Sequence, residues 1–189
     1  MTFYRVISDP PAVQVDLIYA TAENFTGKTL YDAPIFALIG EAIEALKKAK
    51  QQLATKGFGL LLWDGYRPFA TQAMMWDMIQ DERYVSDPHK TGGRHTRGTA
   101  VDLTLTDQSG CPLQMPTYFD DFTEKASYAY QDLPKDVLSR RTLLKNVMEA
   151  SGFASFPNEW WHFDLHGWEK YPPQHVPLSS LHNAPLVKL

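Results

Sequence analysis

The chain has 189 residues, of which 44% are hydrophobic and 21% charged. This is ordinary globular composition for one domain, and it excludes intrinsic disorder because enough apolar surface is present to offset chain entropy. Eighteen Lys and Arg against 22 Asp and Glu give a formal charge of −4 with no basic run, which argues against nucleic acid as a partner; nor is any apolar run long enough to span a bilayer. The one cysteine, Cys111, rules out an intrachain disulfide and suits a reducing compartment. Residues 1–11 carry Asp9, Pro10 and Pro11 where a secretory leader needs an apolar stretch, so the expected location is cytoplasmic.

Val13, Val15, Leu17 and Tyr19 alternate with other residues at the period of a strand. Asn24–Gly27 reads as a turn. Phe36, Ile39, Ile43, Leu46 and Leu53 then recur at helical spacing, and Gly57 supplies a stop. The apolar run Phe58–Trp63 reads as a buried strand, ending in the turn Asp64-Gly65-Tyr66-Arg67-Pro68. Phe69–Gln80 reads as a helix with Ala73, Trp76 and Ile79 on one side, and Asp81–Gly93 as a loop. Val101–Thr106 is β-branched and alternating. Asp107–Gly110 has turn chemistry, so Pro112–Met115 is expected to return as the second strand of a hairpin. Leu138–Ala150 predicts another helix, stopped at Gly152, and Glu159–Leu165 a final strand. These elements do not alternate as strict βαβ units. They predict an α+β fold with a largely antiparallel central sheet and helices packed against it, in a single domain over residues 1–189. Residues 171–189 form a Pro-rich tail, expected to lack regular structure.

Two clusters carry the chemistry: His95-Thr-Arg-Gly-Thr-Ala-Val-Asp102 and Glu159-Trp-Trp-His162. His95, Asp102 and His162 supply three N and O donors, the number a catalytic zinc takes while keeping a position for water. His95 and Asp102 are an odd number apart and would face opposite ways on a continuous strand, so Gly98 is expected to break the chain between them. Glu159 and His162, three apart, share a face on a helical turn but not on a flat strand. Glu159 is therefore expected at a bend just before the strand that carries His162, as a general base that does not ligate the metal. Singly, each residue has a plainer reading: His95 as a partly buried hydrogen-bonding group, Asp102 as a turn or salt-bridge residue, Glu159 as solvated. Trp160 and Trp161 read as core and pocket wall, and Arg67 as a brace paired with Asp64. His89, His166 and Cys111 read as incidental. There is no G-x-S-x-G elbow and no H-E-x-x-H helix.

Asp-Gly-Tyr-Arg-Pro at 64–68, His-x-Arg-Gly-x-Ala-x-Asp-Leu-Thr-Leu at 95–105 and Glu-Trp-Trp-His at 159–162, in that order, resemble the zinc D-alanyl-D-alanine dipeptidases, relatives of the zinc D,D-carboxypeptidases. Tyr19–Lys28, Tyr118–Phe122 and Arg140–Phe153 are similar to further segments of that family, so the likeness runs from about Val15 to Leu165. It implies one Zn2+ per chain on His95, Asp102 and His162, with Glu159 as catalytic base and Arg67 facing the oxyanion. It also implies that Asp120, helped by Tyr19, holds the free ammonium of a small D,D-dipeptide. Nucleic acid and membrane are not expected partners. The chain departs from the pattern at Gly93, where the family commonly has Ser, in a shorter loop from Tyr84 to Gly92, and in a longer tail. A D,D-carboxypeptidase of longer cell-wall peptides and a non-catalytic zinc-containing binding module are the alternatives. The second would need neither Glu159 nor Arg67.

Overall fold

The structure is a computed structural model that describes residues 1–189. Strands β1 (Phe3–Val6) and β2 (Val13–Val15) come first. The alternation through Leu17 and Tyr19 does not continue as strand, because Ile18–Ala20 winds into a 3-10 turn. That turn swings the Tyr19 ring inward against Tyr31, Phe25 and Phe119, where it is buried. Strand β3 (Ala37–Ile39) follows, and helix α1 starts only at Gly40, ending at Ala54. Phe36 and Ile39 are therefore not helical as their spacing predicts. The stretch Ala37–Ile39 is wholly buried and pairs with β1, and a short apolar run fits a buried strand as well as a helix.

Strand β4 (Gly59–Asp64), helix α2 (Phe69–Ile79), strand β5 (Ala100–Thr106), helix α3 (Lys135–Ser151), and strands β6 (Phe153–Phe156) and β7 (Glu159–Leu165) come next. All but β6 match predicted elements within a few residues. In α2 the buried face is Thr71, Gln72 and Met75, not Ala73, Trp76 and Ile79. The polar pair is drawn inward because Gln72 accepts a hydrogen bond from Arg67 and Thr71 donates to the Leu30 carbonyl. Pro112–Met115 is not the expected return strand. It makes one bridge to Thr106 and one hydrogen bond, Leu113 N–H to Leu105 O, and its flanking prolines 112 and 116 have no N–H to donate. The tail is more regular than its prolines suggest. It forms a 3-10 turn at Leu178–Asn183 and a short strand β8 (Leu186–Val187) beside β1. Pro185 takes part as an acceptor, through its carbonyl, from Arg5 N–H.

The fold is α+β. A five-stranded sheet has the order β2-β4-β5-β7-β6, parallel only between β2 and β4, and a three-stranded sheet has the order β3-β1-β8. Helices α1 and α3 pack on each other and on the sheets, and one cluster of 40 buried apolar residues joins both sheets and the helices into a common core. No helix is long and apolar enough to cross a membrane.

Two registers position the site. Asp102 on β5 lies directly opposite His162 on β7, and Asp64 on β4 lies directly opposite Asp102. The second pairing needs a bulge. Leu62 faces Leu103, then the register slips by one before Asp64. Without that slip Asp64 would share the core face of Leu60 and Leu62; with it, Asp64 joins the face of Asp102 and His162. Between His95 and β5, Gly98 has φ +67°, and a Cβ there would lie 2.6 Å from Phe3 Cε1. Gly98→Ala is expected to lower stability by more than about 1–2 kcal/mol, the left-handed backbone cost alone. A denaturant midpoint equal to wild type would show that this turn is not constrained as described.

Candidate active site and metal-binding cluster

His95 sits in a 3-10 turn, Asp102 on β5 and His162 on β7, all three buried. Their donor atoms converge. His95 Nε2 lies 3.1 Å from His162 Nδ1 and 3.2 Å from Asp102 Oδ2, and His162 Nδ1 lies 3.0 Å from Asp102 Oδ1. The outer ring nitrogens are occupied elsewhere. His95 Nδ1 is 2.8 Å from the Gly65 carbonyl, and His162 Nε2 is 2.9 Å from Asp164 Oδ1. Those bonds take up the outer nitrogens, so the inner ones face one another beside the Asp102 carboxylate, and His162 must give up a proton before its Nδ1 can offer a lone pair to a metal. This is a cluster that could hold a metal ion.

Gly98 does break the chain between His95 and Asp102, as its position predicts. Glu159 is placed differently: it is the first residue of β7 rather than at a bend before it. It nonetheless shares a face with His162, because the β6–β7 ladder loses register between Ser155 and Phe156. Glu159 Oε2 stands 3.9 Å from His162 Nδ1, beside the cluster but not in it. Burial pushes the Glu159 carboxyl up to about 8, with His162 opposing that rise. Burial also works against the charge on Asp102, but His95 and His162 outweigh it and hold that carboxyl well below the usual range. For His162 burial opposes protonation; Asp164 and Asp102 overcome it and raise the imidazole to about 10.

Arg67 is braced by Asp64, as one plain reading has it, and also faces the cluster. Its Nε and Nη2 donate to Asp64 Oδ2 at 3.0 and 2.8 Å, Nη1 donates to Gln72 Oε1 at 2.9 Å, and Nη2 is 3.9 Å from Asp102 Oδ2. Three of its five N–H groups are thereby used and two stay free. Tyr31 and the Gly65 N–H donate to the other Asp64 oxygen. Tyr19 OH donates to Asp120 Oδ2 at 2.9 Å, and its ring lies 5.0 Å from the Arg67 guanidinium carbon. Burial pushes the Asp120 carboxyl up to about 7, against the hydrogen bond from Tyr19. Asp120 also has φ +58°, a left-handed backbone that a non-glycine residue adopts at a cost.

One cavity is lined by Tyr19, Arg67, Asp120 and Glu159 together with the three donor residues, and Trp161 forms part of its wall. Trp160 is core, fully buried. Asp164, Gln72 and Arg94 escape the sequence reading. Asp164 had a signal, since it is two residues beyond His162 and so on the same strand face. Arg94 also had one, since it directly precedes His95 and follows the Gly93 departure; Gln72 had none, because only the tertiary fold brings it near. Gly93 has φ +77°, and a Cβ there would come within 3.1 Å of Gln72, the residue that holds Arg67.

A buried pair of histidines and a carboxylate, with a non-ligating carboxyl and a guanidinium alongside, is the donor arrangement of a hydrolytic metalloenzyme. The chain belongs to the Peptidase_M15 D-Ala-D-Ala dipeptidase family, whose model matches residues 1–180. It is a peptidase. It is 38% identical over 162 residues to the D-alanyl-D-alanine dipeptidase of Escherichia coli K12, covering 86% of this chain and 83% of that one. It is 36% identical over 180 residues to the D-alanyl-D-alanine dipeptidase of Enterococcus faecium, covering 85% and 89%. Among solved structures, a vancomycin-resistance D,D-pentapeptidase in complex with Zn(II) is 15% identical with a TM-score of 0.47, covering 77% of this chain and 83% of that one.

The raised Glu159 carboxyl has a cost that can be measured. It titrates near 4.5 when exposed and near 8 in the fold, so the metal-free protein loses stability as pH climbs through that window. Glu159→Gln removes the loss. At about pH 9 the metal-free variant is expected to be more stable than wild type by on the order of 2–4 kcal/mol, while at about pH 4 the two should agree. Denaturant melts at both pH values check this, and a variant no more stable at the higher pH would contradict the burial argument.

Proposed function

We propose that this enzyme hydrolyses D-alanyl-D-alanine, or a close D,D-dipeptide, to free D-amino acids, using one zinc ion per chain held by His95, Asp102 and His162. The observation that carries the metal reading is the spacing of the three donor atoms, 3.0–3.2 Å. Tetrahedral zinc with bonds of about 2.0–2.1 Å sets neighbouring ligand atoms about 3.3 Å apart. The set of two imidazole nitrogens and one carboxylate also suits that ion. When bound, zinc would supply Lewis acidity, activating a water and polarising the scissile carbonyl.

The chain's own residues do the rest. Glu159 takes a proton from the attacking water and later delivers it to the leaving amine. Its desolvated carboxylate is a stronger base than an exposed one, which matches this task. Arg67 offers its two free N–H groups to the oxygen that gains charge when water attacks. Asp64 and Gln72 fix its plane, so no reorganisation is needed at that moment. Asp120 takes the substrate's ammonium. Half-buried and desolvated, that carboxylate favours a cation as partner, and the Tyr19 hydrogen bond aims it. Such an anchor demands a free amino end, which supports a dipeptidase over a carboxypeptidase of longer peptides.

Purified protein is expected to release alanine from D-Ala-D-Ala, to lose the activity with a chelator and to regain it with zinc. Glu159→Gln should keep its zinc and lose about 10²–10⁴-fold in kcat. Equal turnover by that variant would remove the base assignment, and equally fast hydrolysis of N-acetyl-D-Ala-D-Ala would remove the ammonium anchor. Asp164→Asn, which weakens the bond that orients His162, should lower zinc affinity by about 10–100-fold in a competition titration.

A further inference from the structure

A dipeptide carries an ammonium and a carboxylate on Cα atoms about 3.8 Å apart, across the single bond to be cut. A site that reads both ends therefore places an anion and a cation on either side of the hydrolytic centre. Asp120 stands on the Arg67 side of the donor cluster, beside Tyr19. Three arginines line the same cavity: Arg67, Arg83 and Arg94. Arg67 is committed to Asp64 and Gln72. Arg83 is chelated by Asp81 and its side chain is 71% exposed.

Arg94 differs from both. Its side chain is 30% exposed, and its one ion-pair contact, at 3.3 Å, uses only Nε on Asp164 Oδ2. Its guanidinium carbon lies over the Phe156 ring, 4.5 Å from the ring centre, and 5.6 Å from that of Trp168. Asp164 in turn holds the outer nitrogen of His162, so Arg94 approaches the cluster through His162, whereas Arg67 approaches it through Asp102. Asp164 and the aromatic rings orient the fork before any ligand arrives, and both terminal nitrogens remain available to a carboxylate.

We infer that Arg94 binds the C-terminal carboxylate of the dipeptide and makes a free acid at that end a requirement. The inference rests on the dipeptidase reading above and adds the second anchor to it. The test compares D-Ala-D-Ala with D-alanyl-D-alaninamide in zinc-loaded wild type, Arg94→Gln and Arg94→Lys. Wild type should prefer the acid. In Arg94→Gln that preference should shrink by roughly 30–100-fold, through KM of the acid, the loss expected for a charge-assisted bidentate contact. Arg94→Lys should recover part of it. If acid and amide lose kcat in the same proportion and zinc affinity falls, Arg94 acts through Asp164 on His162, and the assignment is overturned. If wild type releases no alanine at all, the dipeptidase reading falls by itself. Calorimetric binding of the acid and the amide then decides Arg94 independently: a wild-type preference lost in Arg94→Gln upholds it, and its absence overturns it.

Discussion

The structure turns on a line of ionisable groups buried across the sheet. Asp64, Asp102 and His162 sit opposite one another on three adjacent strands, with Arg67 folded over the first two. Buried charges are tolerated only when paired and hydrogen-bonded, and removing one partner costs about 3–5 kcal/mol because it strands the other. Much local detail follows from this. The slip in β4 brings Asp64 to the right face. Tyr31, the Gly65 amide and the Arg67 guanidinium saturate its oxygens. Arg67 N–H donates to the His95 carbonyl while His95 Nδ1 reaches the Gly65 carbonyl, so the two loops that deliver a guanidinium and a metal-cluster histidine clamp each other.

Two carboxyls are left out of that compensation. Glu159 and Asp120 line the cavity, and burial drives both up towards neutrality. Neither accepts a hydrogen bond from a protein cation; Glu159 has only the longer 3.9 Å approach of His162 Nδ1, and Asp120 only the Tyr19 hydroxyl. A core selected for stability alone would not keep them. On the function proposed above, their partners are the reactants: a water that must lose a proton and an ammonium that must be held. The left-handed backbone at Asp120 is a further local strain carried at this edge of the site.

The sequence is legible where one element is enough to state the pattern. Strands β4, β5 and β7 and helices α2 and α3 follow from apolar runs, alternation and glycine stops, and the residues that converge are those named by their motifs. It is less legible where two elements compete for the same residues. Ala37–Ile39 is apolar enough for either helix or strand, and only β1 as a neighbour decides. Tyr19 alternates like a strand residue, but an aromatic pocket pulls it into a turn. The face-sharing of Glu159 with His162 depends on a lost register in a ladder with β6, which no local spacing reveals. Gln72 matters through the Arg67 guanidinium it holds across the cavity, and a linear reading holds no trace of that.

The tail carries the last consequence. Gln174 N–H bonds to the Thr96 carbonyl, and the Tyr66 hydroxyl donates to the Val176 carbonyl at 2.7 Å. Arg97 donates to the Tyr171 carbonyl. The segment after β7 thus laces together the backs of the two loops that present Arg67 and His95. A ribosome makes those loops long before it makes the segment that clasps them. During synthesis the nascent chain holds every residue of the donor cluster through His162 while the brace behind the His95 loop is still unmade, so that loop takes its final geometry only when the lacing segment arrives.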